Sequence, residues 1–357
     1  MTRRSWFAAA CAVLLCCATG IGQEAPAAGQ YRVLRTLKVG GDGGFSYLFA
    51  DAAARRLYVP RSGPAGRITI FDLDTLAPAG EIPNVDAQGV TIDPKSHHGF
   101  ASSQPVVMFD SRDLKVLKKI PVDNHPDRLL FDSVSSRVFV FSKQGEETGG
   151  EKVVVLDAAQ GTVVGSVDVG GTQEEGVSDG KGRVFINVEE KGAIAVVDPT
   201  SLTVTGRYDL QKKGGHCGGL AMDHKNGILF AACRVPAAMV ILRASDGQIL
   251  QTFPIETSAN GAVFNPATME TLSASGNCGT ASNQCGPVGT VRVVKEQNRT
   301  TFVMAQTLPT VPRAKTLVLD TKNGHLVLMA AEYDAPPPGG GRATMRSGSF
   351  SLLIVGK

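Results

Sequence analysis

One stretch of the 357-residue chain reads Phe49-Ala-Asp51, Arg56-Leu-Tyr-Val59, Arg67-Ile-Thr-Ile-Phe-Asp72 and Gly80-Glu-Ile82. Each of these segments is short and rich in apolar residues, many of them β-branched or aromatic, and Asp, Gly or Pro residues separate the segments. Such composition and such boundaries favour β-strands over helices. The stretch therefore predicts a four-stranded antiparallel meander, whose strands we label A to D.

The same order of segments recurs along the chain. Strand A of each copy ends in Asp or Asn, at intervals of 39 to 55 residues, and these residues are Asp51, Asp93, Asp132, Asp179, Asp223, Asn265 and Asp320. A repeat of roughly 40 to 50 residues that contains several short strands is typical of a β-propeller blade. The fifth and sixth copies depart in their third strands, where Arg243 and Lys295 replace an Asp. We predict an all-β fold, a single seven-bladed β-propeller over residues 31–357.

The two ends of the chain are predicted to share one blade. The last copy ends at its third strand, Ser349–Val355, while the segment Tyr31–Val39 resembles the fourth strand of other copies, such as Lys115–Val122. An N-terminal strand that completes the last blade pairs two sheet edges that would otherwise be open. We therefore expect truncation of residues 31–39 to destabilise the whole ring.

The repeat also carries a family resemblance. Strand A ends in Asp or Asp-Pro, residues 56–59 read Arg-Leu-Tyr-Val, and the third strand ends in Asp-x-x-Thr at residues 72–75. These features are similar to the YVTN-repeat β-propellers, the YncE-like group, over residues 31–357. The resemblance implies a seven-bladed ring, export from the cytoplasm and a binding role. Its motifs are structural residues of turns and strands, so it assigns no role to individual residues.

The beginning of the chain has the basic, apolar and small-residue regions of a secretory signal, in the usual order. Arg3 and Arg4 precede an apolar segment over residues 7–18, and small residues follow as far as Gly22. We predict a signal peptide over residues 1–22 and a flexible lead over residues 23–30. The arginine pair leaves general secretion and twin-arginine export both open. We expect a periplasmic or secreted protein.

Charge and motifs exclude several classes of function. Removal of residues 1–22 takes away two arginines and no acid, and lowers the formal net charge from +3 to +1. A nearly neutral protein with scattered basic residues lacks the electrostatic surface of a nucleic-acid-binding protein. Beyond the signal, no segment is long and apolar enough to span a membrane. The sequence has no haem-attachment, phosphate-loop or dinucleotide motif, so we predict no cofactor, and we expect a monomer.

Four cysteines remain after the predicted signal. Cys217 and Cys233 flank a predicted A–B hairpin at equal distances from its turn. Residues placed in this way face each other across antiparallel strands, which predicts a disulfide. Cys278 and Cys285 flank a short Gly- and Ser-containing loop, and we predict a second disulfide there. A metal site that combines the first pair with His216 is the alternative, although its spacing lacks the close cysteine pairs of zinc sites.

A meander places its connections alternately on two faces of the ring. Links between blades and B–C connections lie on one face, which we name the loop face, and A–B and C–D turns lie on the other, the turn face. The B–C connections vary most in length, and variable loops on a rigid scaffold often carry binding. Polar residues also enter strand A, the strand nearest the axis, from the loop face. We predict a ligand-binding site at this mouth of the channel, formed by His125, Asp127, Arg128, Glu174, Glu175, His216, Asn260 and Arg313.

Two functional hypotheses follow from this site. The one we favour is a non-catalytic binding protein, whose partner is a protein, a peptide or a small molecule of unknown identity. Under this hypothesis we assign no catalytic residue and no metal ligand. The alternative is a propeller hydrolase, lyase or lactonase with a divalent metal at the channel mouth, because carboxylate and amide oxygens suit calcium or magnesium. Its ligands would be Asp127, His125, Glu174, Glu175, His216 and Asn260.

Overall fold

The computed structural model describes residues 29–142, 152–276, 286–335 and 343–357. These residues form seven four-stranded antiparallel sheets that are arranged as the blades of a propeller, which confirms the predicted fold class. The predicted signal peptide, residues 23–28 of the lead and the predicted Cys278–Cys285 disulfide lie outside the described residues. Within the described ranges, no helix has the length and apolar character needed to cross a membrane.

The strands follow the predicted order A to D in every blade. The first strand of the chain, β1 (Arg32–Lys38), belongs to the last blade. Blades one to three consist of β2 (Phe49–Asp51), β3 (Arg56–Arg61), β4 (Arg67–Asp72) and β5 (Pro78–Pro83); β6 (Val90–Asp93), β7 (His98–Ala101), β8 (Val106–Asp110) and β9 (Val116–Ile120); and β10 (Pro126–Asp132), β11 (Arg137–Ser142), β12 (Val153–Asp157) and β13 (Thr162–Val167).

The later blades have the same arrangement with longer strands in blade six. Blades four and five consist of β14 (Gln173–Ser178), β15 (Val184–Val188), β16 (Ala193–Asp198) and β17 (Thr203–Asp209); and β18 (Cys217–Asp223), β19 (Ile228–Arg234), β20 (Ala237–Arg243) and β21 (Ile249–Pro254). Blades six and seven consist of β22 (Ala259–Asn265), β23 (Glu270–Ser275), β24 (Gly289–Asn298) and β25 (Thr301–Thr310); and β26 (Lys315–Asp320), β27 (His325–Ala330), β28 (Ser351–Gly356) and β1. A short 3-10 helix, Glu189–Lys191, connects β15 to β16.

The Asp or Asn that marks each repeat closes the A–B turn. In all seven blades its side-chain oxygen accepts a hydrogen bond from a backbone N–H two or three residues later, at 2.8–3.1 Å. Asp51, for example, accepts from the N–H of Ala54 at 2.9 Å. Asp and Asn favour such turns because their short side chains reach the backbone two or three residues ahead. Turn formation therefore explains why Asp or Asn recurs at this position.

The hydrophobic core lies between adjacent blades. Strands A of consecutive blades contact one another around the whole ring, and each hydrophobic cluster joins two neighbouring sheets. One cluster, for example, contains Phe139 of blade three and Val184 of blade four. Strands β18 and β22 approach so closely that a Cβ on Gly219 would lie 2.6 Å from the carbonyl carbon of Gly261. Glycine is required there because any larger side chain would force the inner strands apart.

Strand β1 closes the ring. It pairs with β28 in antiparallel register, with Arg32 opposite Gly356 and Lys38 opposite Ser351. The predicted completion of the last blade by the N-terminal strand is thereby confirmed. Most side chains of β1 are exposed, so the strand is held by its backbone pairing and by the residue that precedes it.

Tyr31 anchors the closing strand in the core. Its side chain is 1% exposed, and its hydroxyl donates to the carboxylate of Glu270 in blade six at 3.1 Å. The side-chain amide of Gln306 accepts from the backbone N–H of Tyr31 at 2.8 Å and donates to its C=O at 2.7 Å. Closure therefore depends on contacts with blade six as well as on pairing within blade seven.

Candidate functional site

Irregular inner strands position the polar residues at the loop-face end of the channel. In blades three to seven, the pairing of strand A with strand B shifts register near the first residues of strand A. In blade four the shift lies between Gln173 and Gly176. Such a bulge takes side chains out of the regular alternation of a strand. Glu174 and Glu175, which are consecutive, are consequently both buried, at 1% and 7% exposure.

Arg128 connects blade three to blade four. Its Nη2 forms a close ion pair with the carboxylate of Glu175, and its guanidinium lies 4.4 Å from the centre of the Tyr47 ring. Glu175 also accepts a hydrogen bond from the backbone N–H of Leu220 in blade five at 3.1 Å. These contacts join three successive blades to the segment that precedes blade one.

Glu174 binds a second arginine. Nη1 of Arg234, at the end of β19, lies 3.3 Å from a carboxylate oxygen of Glu174 and 2.8 Å from one of Glu189. The Tyr47 hydroxyl lies 3.2 Å from Glu174 and 3.1 Å from Asp127, so it donates to one of these two carboxylates at a time. We name the whole set the ion network, and its members are Tyr47, Asp127, Arg128, Glu174, Glu175, Glu189 and Arg234.

Burial determines the protonation of the ion network. Its four carboxylates outnumber its two guanidinium groups, so negative charge is in excess when all are ionised. Burial raises the pKa of Glu175 to about 7, although the charge of Arg128 acts in the opposite direction. Burial, together with the charges of Glu174 and Asp127, raises the pKa of Tyr47 well above its usual value. Tyr47 therefore stays protonated as a donor, and Glu175 binds a proton near neutral pH.

His125 lies in a separate polar groove on the loop face. The groove has a volume of about 550 Å³. Its polar lining residues include Asn84, Asp86, Gln88, Ser103, Gln104 and Lys119. The side-chain oxygen of Gln88 accepts a hydrogen bond from the hydroxyl of Ser46 at 2.7 Å, whereas His125, Gln104 and Lys119 are exposed. The groove thus combines a fixed wall with exposed polar groups.

The other predicted site residues do not form a continuous ring. Nδ1 of His216 lies 3.8 Å from the carboxylate of Glu189, and its side chain is 44% exposed. Oδ1 of Asn260 is buried and has no hydrogen-bond partner within the described part of the chain. The guanidinium of Arg313 lies 4.2 Å from the centre of the Tyr333 ring, beside a cavity of about 810 Å³ at blade seven. The eight predicted residues are therefore distributed over the ion network, its margin, the groove and blade seven.

The donor groups do not favour the metal-dependent alternative. Glu174 and Glu175 are paired with Arg234 and Arg128, and His125 lies in the separate groove. Across residues 29–142, 152–276, 286–335 and 343–357, no three His, Cys, Asp or Glu side chains are grouped in a way that would hold a metal ion. Arginine side chains therefore already occupy positions beside Glu174 and Glu175 where a metal ion would have to bind.

Cys217 and Cys233 form the predicted disulfide. They lie directly opposite each other in β18 and β19, so the cross-strand prediction is confirmed. Both sulfur atoms are thereby engaged, which rules out the alternative metal site with His216. The bond fixes the start of β18, three residues before the backbone N–H of Leu220 that binds Glu175.

Three members of the ion network, Tyr47, Glu189 and Arg234, were not predicted from the sequence. Arg234 carried a signal that could have been used, because it is a charged residue that ends an otherwise apolar strand B, and its side chain is only 12% exposed. Arg61 at the end of β3 follows the same pattern and is 1% exposed. Tyr47 and Glu189 lie in connections, where no repeat pattern indicates burial.

Comparison with known proteins supports the architecture. The sequence matches no protein-family model, and no curated protein matches it in sequence. The structure is similar to a chain in a crystal structure of the mitotic checkpoint complex, with a TM-score of 0.69 and 9% sequence identity. The similarity covers 96% of this chain and 98% of that chain. At this identity the similarity shows the β-propeller fold alone.

Proposed function

We propose that the protein is an exported, non-catalytic β-propeller that binds a protein or peptide partner on its loop face. The observation that carries this proposal is the position of the polar groove, of about 550 Å³, on the same face as the rigid ion network. A surface that is already ordered before binding loses little conformational entropy when a partner binds. The four-stranded blades and their mutual salt bridges supply this order.

The chemistry of the groove suits a polypeptide. His125, Gln104 and Lys119 present donors and acceptors to solvent, and Asp86 and Gln88 add acceptors to the lining. A peptide backbone offers both donors and acceptors at regular intervals, so it can satisfy both kinds of group. Mixed charge also favours specificity of partner and orientation over strength of binding.

The ion network supports binding in preference to catalysis. A general acid or base must reach the proton that it transfers. Glu174 and Glu175 are instead enclosed, at 1% and 7% exposure, and their carboxylates contact Arg234 and Arg128. We therefore assign these side chains to the support of the loop face and to no chemical step.

Export is supported by two features. The Cys217–Cys233 disulfide is typical of an oxidising compartment, and residues 1–22 have the order of a signal peptide. The resemblance of the repeats to YVTN-repeat propellers agrees with a periplasmic or secreted location. Cell fractionation with N-terminal sequencing tests this part, and we expect a mature chain that starts after Gly20 or Gly22. A cytoplasmic protein that retains Arg3 and Arg4 would contradict it.

Site-specific photocrosslinking tests the binding face. We would replace Gln104, at the rim of the groove, with p-benzoylphenylalanine, and compare it with the same replacement of Lys95, which is exposed in the A–B turn of the same blade. We expect discrete crosslinked species in cells from position 104 and none from position 95, with loss of these species after His125→Ala and Lys119→Ala substitution. Equal crosslinking from both positions, or crosslinks that the double substitution leaves unchanged, would contradict the proposal.

A further inference from the structure

A pocket of about 410 Å³ lies on the turn face where blades four, five and six meet. Its lining comes from the A–B turns of blades four and five and from the C–D turns of blades five and six. The charged residues that line it are Arg183, Arg243 and Arg299, and none of the described lining residues is acidic. Ser245, Arg299 and Thr300 are exposed, so the pocket is accessible from solvent. Three guanidinium groups from three blades therefore share one accessible site.

Two of these arginines are held in place by aspartates and still present donors. Nε of Arg183 lies 2.8 Å from the carboxylate of Asp179, and its Nη1 donates to the C=O of Ala244 at 2.8 Å. Nη1 of Arg243 lies 2.8 Å from the carboxylate of Asp246. These contacts use only part of the five N–H donors of each guanidinium. The two arginine side chains are 37% and 42% exposed, so their remaining donors are accessible to a ligand.

Arg299 supplies positive charge that no carboxylate neutralises directly. Its Nε donates to the side-chain oxygen of Asn226 at 3.2 Å, and it makes no ion pair with a carboxylate among the residues that the structure describes. The side-chain N–H of Asn226 donates in turn to the carboxyl of Glu296 at 2.7 Å, which fixes the orientation of the amide. Arg299 is therefore oriented by a neutral group, and its two terminal nitrogens keep their donors for a ligand.

The charge and the arrangement of these donors select a tetrahedral oxyanion. Guanidinium groups bind carboxylates and phosphates through paired N–H groups. A carboxylate has two oxygens in one plane, which one guanidinium satisfies, whereas a phosphate group presents oxygens in several directions to donors from three blades. The hydroxyl of Ser245 adds a neutral donor to the lining. The volume of about 410 Å³ also exceeds that of a phosphate ion, so the pocket has room for part of a molecule that carries the phosphate.

We propose that this pocket binds a phosphate group, as the free ion or as the monoester of a small molecule, through Arg183, Arg243 and Arg299. The site lies on the face opposite the groove, and it shares no lining residue with the groove and no member with the ion network. Binding of a partner on the loop face and binding of phosphate on the turn face are therefore tested independently.

Isothermal titration calorimetry of the purified full-length protein tests the site. The titrants are inorganic phosphate, phenyl phosphate and acetate, in about 0.1 M sodium chloride, where charges more than about 10 Å apart are largely screened. We expect saturable binding of phosphate at one site and no saturable binding of acetate. Tighter binding of phenyl phosphate than of inorganic phosphate would assign the site to a monoester, and equal or weaker binding would assign it to the free ion. Absence of saturable phosphate binding, or acetate binding of equal strength, would overturn the proposal.

Substitution of the accessible arginines locates the site. Arg299→Gln should weaken phosphate binding about tenfold, as expected for loss of a charge-assisted contact. Arg299→Lys, which keeps the charge without the planar fork, should weaken it less. Combined Arg243→Gln and Arg299→Gln substitution should abolish saturable binding. Arg112→Gln is the matched control, because Arg112 lies in a C–D turn on the same face and pairs with Asp110 at 2.7 Å but does not line the pocket, so phosphate binding should be unchanged.

Circular dichroism would show that each variant is folded. Phosphate binding that Arg299→Gln leaves unchanged, or that Arg112→Gln weakens equally, would contradict the proposed site. If the double variant does not fold, the single variants and the preference of the wild-type protein for phosphate over acetate still decide between a specific site and general attraction to surface charge.

Discussion

Replacement of Glu175 by Gln tests the buried ion network through the pH dependence of stability. The folded protein has a pKa of about 7 for this carboxyl, above its usual value of 4.5, because burial disfavours the charged form. The folded state thus binds the proton more tightly than the unfolded state. The corresponding stability is fully present below pH 4.5 and is lost as the pH rises through 7. Gln is similar in size and does not titrate.

The size of the effect follows from the two pKa values. A rise from 4.5 to about 7 corresponds to about 3 kcal/mol, since each pH unit is worth about 1.4 kcal/mol. Between pH 5 and pH 8 the wild-type protein should therefore lose up to about 3 kcal/mol of unfolding free energy that the Glu175→Gln variant does not lose. Glu296, whose pKa burial also raises to about 7, titrates in the same range and leaves the variant some pH dependence.

Urea unfolding at several pH values between 5 and 8 measures this difference. The relevant quantity is the slope of unfolding free energy against pH, because changes in packing and hydrogen bonding that do not depend on ionisation of Glu175 shift the variant by a constant amount. Glu81→Gln, in the outer strand of blade one where the Glu81 side chain is 47% exposed, serves as the control and should retain the wild-type slope. Parallel curves for the wild type and Glu175→Gln would refute the reasoning.

Two further substitutions test individual contacts. Tyr31→Phe removes the hydroxyl that binds Glu270 at 3.1 Å and should lower the unfolding free energy by about 1 kcal/mol in thermal or urea unfolding; a neutral effect would show that the anchor is apolar only. Combined Cys217→Ser and Cys233→Ser substitution opens a disulfide with a sequence separation of 16 and should cost about 3 kcal/mol. Equal stability of the wild type with and without reductant would contradict this second expectation.

The strands and the closure of the ring were predictable from the sequence because their signals are local. Each A–B turn needs an Asp or Asn that reaches the backbone two or three residues ahead, as Asp51 reaches Ala54, so the repeat is visible in the order of residues alone. The Cys217–Cys233 pair was predictable for the same reason, since a hairpin fixes which residues are opposite.

The ion network was only partly predictable because its contacts join distant segments. Tyr47 and Glu174 are 127 residues apart, and Glu174 and Arg234 are 60 apart. The bulge between Gln173 and Gly176 decides that both consecutive glutamates are buried, and no sequence pattern marks it. The side chains that were predicted to form one site at the channel mouth therefore lie in different places, some in the buried ion network and others outside it, such as His125 in the exposed groove.

The assignment of residues to the loop face or the turn face depends on closure of the ring by the N-terminal strand. An engineered disulfide tests this closure most directly, because Lys38 and Ser351 are opposite each other in β1 and β28. Oxidation of the Lys38→Cys, Ser351→Cys double variant should give a monomer in which peptides containing positions 38 and 351 are linked, as measured by mass spectrometry, while neither single variant gives this link. Free thiols at both positions, or links only between separate molecules, would contradict the closed seven-bladed ring.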